Sequence, residues 1–136
     1  MITHIFVYGT LKQGQSRSRL WPHQPLSIAP AWTYGHLYGR IDYPAMTPGG
    51  DRVAGQVWQF RRDQMPAVLR VLDRIEGTNQ PGQADLYRRV EIETFRDDGA
   101  FLVLAAGYHY ASDPAADGFQ RMRPNEPNAP VQWPGS

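Results

Sequence analysis

Glu76 is the residue in this sequence whose placement most calls for a chemical explanation. Met65, Val68, Leu69, Leu72 and Ile75 recur at helical spacing, and Glu76 falls in line with Leu72 on the same apolar face. An unpaired charge turned toward a core is costly. Burial disfavours the ionised form, so such a carboxyl titrates nearer neutrality, where a general base can work. Two structural alternatives stand beside that reading: a frayed helix end that turns Glu76 to solvent, or an ion pair with Arg88 or Arg89. Arg70 and Arg74 fall on the outer face, and Asp73 flanks the apolar stripe in a structural position. The second candidate is Tyr8-Gly9-Thr10-Leu11. A strand that ends in glycine frees successive backbone N–H groups to point at one spot, which makes an anion site, and Thr10 adds a hydroxyl donor. An ordinary turn shows the same local pattern, and Gly14 is not followed by the residues of a phosphate loop. Tyr43, in a loop just before Pro44, is a third candidate to face a ligand. Trp32, Tyr34, Tyr38 and Trp58 read as core aromatics.

Other chemistries find little support. There is no cysteine, which removes disulfides, thiolate-bound zinc and thiol nucleophiles. His4, His23, His36 and His109 are isolated, so no metal site is expected, and Ser16 and Ser18 lack a nucleophile-elbow context. The 14 basic and 13 acidic residues leave a net charge of +1. Lys12 is the only lysine, and no basic run exists to attract nucleic acid or an anionic membrane. The N-terminus lacks a basic n-region, and no stretch approaches the roughly 20 apolar residues that cross a bilayer. The expectation is a cytoplasmic protein with no nucleic-acid or membrane partner.

The elements that must position these residues can be traced along the chain. The 136 residues, 41% of them hydrophobic, suit one folded domain. Ile5 to Tyr8 reads as a strand stopped by Gly9. Lys12 to Arg19 is polar and reads as loop or short helix. Ala31 to Ile41 reads as a strand with bulges, and Pro44, Pro48, Gly49 and Gly50 as a loop. Val53 to Phe60 reads as a strand. Asp63 is the expected cap of the helix, Pro66 lies in its first turn, and Gly77 stops it. Thr78 to Ala84 is a loop. Val90 to Phe95 and Phe101 to Tyr110 read as strands joined at Asp98-Gly99. After Ser112 five prolines argue against regular structure; the segment is either disordered or wraps the body, with Phe119 and Trp133 as candidate anchors. This implies an α+β domain over residues 1–112, built on a curled or barrel-like sheet, and a proline-rich tail over 113–136.

Three stretches, in order, resemble the gamma-glutamyl cyclotransferase-like family. They are Val7-Tyr8-Gly9-Thr10-Leu11; Tyr43-Pro44-Ala45-Met46 with Pro48-Gly49; and Leu72-Asp73-Arg74-Ile75-Glu76-Gly77 followed by Tyr87-Arg88-Arg89-Val90. The resemblance implies a small mixed β-barrel with flanking helices, and a cofactor-independent release of 5-oxoproline from a small γ-glutamyl substrate. On it, Glu76 is the catalytic acid/base, Tyr8, Gly9, Thr10 and Leu11 hold the glutamyl group, and Tyr43 and Tyr87 belong to the substrate site. Lys12 stands where arginine is frequent, and the tail has no clear counterpart. The competing expectations are a non-catalytic module of the same fold that binds a small ligand, and an interaction domain whose contact lies near Trp133.

Overall fold

The computed structural model describes residues 1–134. Five strands close on themselves: β1 (His4–Val7), β2 (Ser27–Gly39), β3 (Pro44–Gln59), β4 (Tyr87–Phe95) and β5 (Phe101–Tyr110). β2 pairs with β4, β4 with β5, β5 with β1, β1 with β3, and β3 returns to β2. The β1–β5 contact is parallel and the other four are antiparallel, so the expected mixed barrel is present. One α-helix, α1 (Met65–Glu76), packs against it among the described residues.

The alternation of side chains along the strands divides the core in two. From β1, Ile5 and Val7 join one buried cluster while Phe6 and the following Tyr8 join the other; Trp58 and Val57, and Ala106 and Ala105, divide in the same way. Phe6, Leu37, Met46, Val53, Val57 and Ile92 fill the barrel. The second cluster lies between the barrel wall and α1, which contributes Met65, Val68 and Leu72. Each such buried side chain stabilises the fold by about 1.5–3 kcal/mol relative to exposure.

Helix α1 is entered from a 3-10 turn at Arg62–Gln64, which moves the N-cap to Gln64. Asp63 therefore does not cap the helix; it sits within the turn and accepts a 2.8 Å hydrogen bond from Arg61. At the other end Gly77 adopts φ 65°, a left-handed conformation open to glycine. The N–H of Thr78 then donates to the Asp73 carbonyl at 2.8 Å. The buried Thr78 hydroxyl donates to the Tyr87 carbonyl at 2.6 Å, which ties the end of α1 to the start of β4.

Two further expectations are corrected. Pro44 to Gly50 is not a free loop, because β3 begins at Pro44 and pairs with β2. Thr47 lies opposite His36 and Asp51 opposite Gly35, so Pro48, Gly49 and Gly50 form a bulge within the strand pair. Proline is tolerated at a strand's first residue and at a bulge, where no ladder donor is lost. After Ser112 there is regular structure: a 3-10 turn (Ala115–Asp117), β6 (Gln120–Met122) against β2, and β7 (Pro130–Val131) against β3. The tail wraps the body, and Phe119 and Trp133 are its anchors, at 3% and 4% exposure. No helix among the described residues is long and apolar enough to cross a membrane.

Candidate active site

The exit from β1, the end of α1, the start of β3 and the start of β4 meet around a cavity of about 90 Å³. Tyr8, Gly9, Thr10, Leu11, Tyr43, Glu76 and Tyr87 all line it. Every site residue expected from the sequence is thus brought to one place, although the first and last are separated by most of the chain. Further residues also line the cavity, among them Arg17, Leu86 and Tyr108, which the sequence had not singled out. Tyr108 reaches the cavity from β5, and Arg17 from the polar loop after Leu11, where no periodicity marks an inward residue.

Glu76 retains a partial opening toward the cavity and is otherwise enclosed by protein. That enclosure raises its pKa from 4.5 to about 7, and the positive charge of Arg17 acts in the opposite direction. Neither structural alternative holds. Glu76 is not frayed, and it makes no ion pair among the described residues. Arg89 instead pairs with Asp73 at 3.2 Å, and Asp73 also accepts a 2.7 Å bond from the Tyr108 hydroxyl. Asp73 is thus satisfied by these partners, and Glu76 is the single carboxylate facing the cavity among the described residues.

The loop opposite is built for close approach. A Cβ added at Gly9 would stand 2.6 Å from Cγ of Pro44 and 2.8 Å from its Cδ, so only glycine fits. Pro44 is held in turn by Tyr87, whose hydroxyl donates to the Pro44 carbonyl at 2.7 Å. The loop turns back on itself through the Lys12 N–H, which donates to the Gly9 carbonyl at 3.1 Å, and the Arg17 N–H, which donates to the Thr10 carbonyl at 2.8 Å. The N–H groups of Gly9, Thr10 and Leu11 find no acceptor among the described residues, although these residues are buried. Buried donors without partners are uncommon, and here they border a cavity.

The tyrosines supply shape and neutral donors. Burial pushes the hydroxyl pKa values of Tyr8, Tyr87 and Tyr108 upward, with the negative charge of Glu76 contributing to each. Tyr8 donates to the Tyr108 carbonyl at 2.8 Å. Tyr43 leans on Tyr87 and Phe119 at ring distances of 6.3 and 5.8 Å, so the tail supports one side of the site. Lys12 is buried, and its ammonium group donates to the Trp133 carbonyl at 3.3 Å. The indole N–H of Trp133 reaches the Arg40 carbonyl at 3.4 Å. Trp133 therefore belongs to the interior, at 4% exposure. No group of three or more His, Asp or Glu side chains converges among the described residues.

The same architecture recurs in solved proteins. A mouse AIG2-like protein is 23% identical and superposes with a TM-score of 0.63, over 98% of this chain and 96% of that one. Protein PH0828 from Pyrococcus horikoshii is 21% identical with a TM-score of 0.57, covering 88% of this chain and 85% of that one. Protein ytfP from Escherichia coli is 27% identical with a TM-score of 0.50, covering 88% and 90%. At such identities the likeness establishes the fold. No curated protein sequence matches the chain. The family model described as gamma-glutamyl cyclotransferase, AIG2-like, matches residues 5–128, which takes in both the Gly9 loop and Glu76. This match spans nearly the whole chain, and the protein belongs to the gamma-glutamyl cyclotransferase, AIG2-like family.

Proposed function

We propose that the protein is a cofactor-independent cyclotransferase that converts a γ-glutamyl amide into 5-oxoproline and a free amine. The observation that carries this reading is the pairing of Glu76, a cavity carboxyl with a pKa of about 7, with the unpartnered N–H groups of Gly9, Thr10 and Leu11 across the same small cavity.

The chemistry follows from those two features. An α-amine is largely protonated near neutral pH and cannot attack until it loses a proton. Glu76, half ionised in that range, accepts it. The amine nitrogen then bonds to the γ-carbonyl carbon of the same molecule, closing a five-membered lactam. The carbonyl oxygen gains negative charge as the tetrahedral centre forms, and the loop N–H groups are donors for it. When the C–N bond to the leaving amine breaks, the proton held by Glu76 passes to that nitrogen; the restored carboxylate takes the second proton from the ring nitrogen, leaving the lactam one N–H, and releases it to solvent. Nucleophile and electrophile share one molecule, so holding the folded conformer in a closely fitting cavity supplies much of the rate. Tyr8, Tyr87 and Tyr108 stay protonated throughout, which leaves Glu76 as the base.

The test is detection of 5-oxoproline by mass spectrometry after incubation with a panel of γ-glutamyl amides and peptides. Glu76→Gln keeps the shape and removes the base, and is expected to lower turnover by about 100- to 10,000-fold. Full turnover in that variant would remove Glu76 from the mechanism. Ligand binding without product from any member of the panel would identify a binding module of the same fold instead.

A further inference from the structure

Glu76 has a charged counterpart in the cavity wall, Arg17. The backbone of Arg17 is tied to the loop through its N–H bond to the Thr10 carbonyl at 2.8 Å. Its guanidinium carbon lies 5.9 Å from the centre of the Tyr43 ring, at the outer reach of a cation–π contact. The neighbouring Arg40 also covers Tyr43, at 4.6 Å, but its guanidinium is engaged with both Asp42 oxygens at 2.7 and 2.9 Å and with the Asp117 carbonyl at 3.0 Å. Arg17 makes no side-chain hydrogen bond or ion pair among the described residues. Among the described residues it is the one cation that lines the cavity, as Glu76 is the one anion. The two are near enough for the charge of Arg17 to act on the Glu76 carboxyl, yet they form no ion pair with each other.

A cavity with a carboxylate on one wall and an unpaired guanidinium on another fits a ligand whose own charges are paired the opposite way. An α-amino-acid head has that form: an ammonium and a carboxylate on one carbon. We propose that Arg17 binds the α-carboxylate of the substrate while Glu76 faces its α-amine, so that this pair selects a γ-acylated amino acid with both head groups unblocked. This assignment rests on the cyclotransferase reading above and divides the labour within it. With the carboxylate on Arg17, the N–H groups of Gly9, Thr10 and Leu11 remain for the γ-carbonyl oxygen, where charge develops. A guanidinium suits this role because its planar fork of donors matches a carboxylate.

The experiment compares a γ-glutamyl amide that carries a free α-carboxylate with the same compound as its α-carboxamide, in wild type, Arg17→Met and Arg17→Lys. For wild type, kcat/KM is expected to favour the carboxylate by at least about tenfold, the worth of a hydrogen-bonded charge pair. In Arg17→Met that ratio should collapse toward one, chiefly through KM, and Arg17→Lys should recover part of it. The change in ratio between proteins is the readout, because any difference in amine basicity between the compounds cancels. An unchanged ratio in Arg17→Met, with both substrates slowed alike, would reduce Arg17 to a structural residue, and equal use of both compounds by wild type would overturn the proposal. Titration calorimetry with the same two compounds on Glu76→Gln separates this proposal from the reaction itself. If wild type makes no 5-oxoproline but Glu76→Gln still binds the carboxylate compound in preference, the cyclotransferase reading fails and Arg17 stands. Binding of neither compound, or of both alike, overturns the Arg17 assignment.

Discussion

Glu76 holds its proton more tightly in the folded protein than in the unfolded chain, because the surrounding wall withholds water from the ionised form. A carboxyl whose folded pKa lies above its unfolded value costs stability as pH rises from about the unfolded value of 4.5 through about 7. The cost is complete above that window and absent below it. Glu76→Gln removes it, so the variant should equal wild type in Tm near pH 4 and exceed it above pH 8. The ceiling on that gain is about 3 kcal/mol, lessened because the cavity admits some water. Thermal denaturation across that pH range checks it. The wild-type kcat/KM should climb with pH through about 7 as the base ionises, and the limb should vanish in the variant. Gly9 fails differently. Its missing side chain is what lets Pro44 close the cavity, so Gly9→Ala should displace the loop and lose both ligand binding, read by calorimetry, and activity.

At the scale of elements, the site depends on where α1 stops. Gly77 in the left-handed region ends the helix one residue after Glu76 and lets Thr78 reach back to Asp73. Gly77→Ala forces a side chain into that conformation and places its Cβ 3.2 Å from Cβ of Leu86. The expected loss is about 1–2 kcal/mol in urea denaturation, with a fall in activity as the helix end shifts. Tyr87→Phe tests the join between β4 and β3. It leaves the buried Pro44 carbonyl without its donor, with an expected cost of about 1–3 kcal/mol and a weaker hold on the wall opposite Gly9.

Across the whole molecule, the residues after Ser112 are a structural part of the barrel and its site. β6 extends the sheet beside β2, and β7 beside β3. Phe119 packs between Tyr43 and Tyr110 at ring distances of 5.8 and 5.1 Å, and the Trp133 carbonyl takes the buried ammonium of Lys12. Ending the chain at Ser112 would uncover the flank of Tyr43 and remove the acceptor of the Lys12 ammonium. The truncated chain should melt at lower temperature and lose 5-oxoproline formation. Phe119→Ala, a milder change, should cost about 3–5 kcal/mol in chemical denaturation. Retention of full stability after truncation would show the tail to be ornamental.

The order of elements was legible because local periodicity reports local geometry. The apolar stripe of α1 turned Glu76 inward, Gly77 ended the helix, and Asp98-Gly99 joined β4 to β5, each for reasons contained in a few neighbouring residues. The candidate site was legible in its parts, as a carboxyl on an apolar face, a strand stopped by glycine and a tyrosine just before Pro44, and the family resemblance added Tyr87. What lay outside local reach depended on partners distant in the chain. Pro44 to Gly50 reads as loop until β2 offers it a ladder, and the proline-rich tail reads as irregular until β2 and β3 supply edges for β6 and β7. Strand formation is decided by what lies across the sheet more than by propensity, so composition alone misjudged both. Arg17 was missed for the same reason. Nothing in its flanking residues shows that the loop folds back on the Thr10 carbonyl and sets a free guanidinium in the wall of the cavity that Glu76 faces. Sequence determined which residues could do chemistry; tertiary closure of the barrel decided that they face one another.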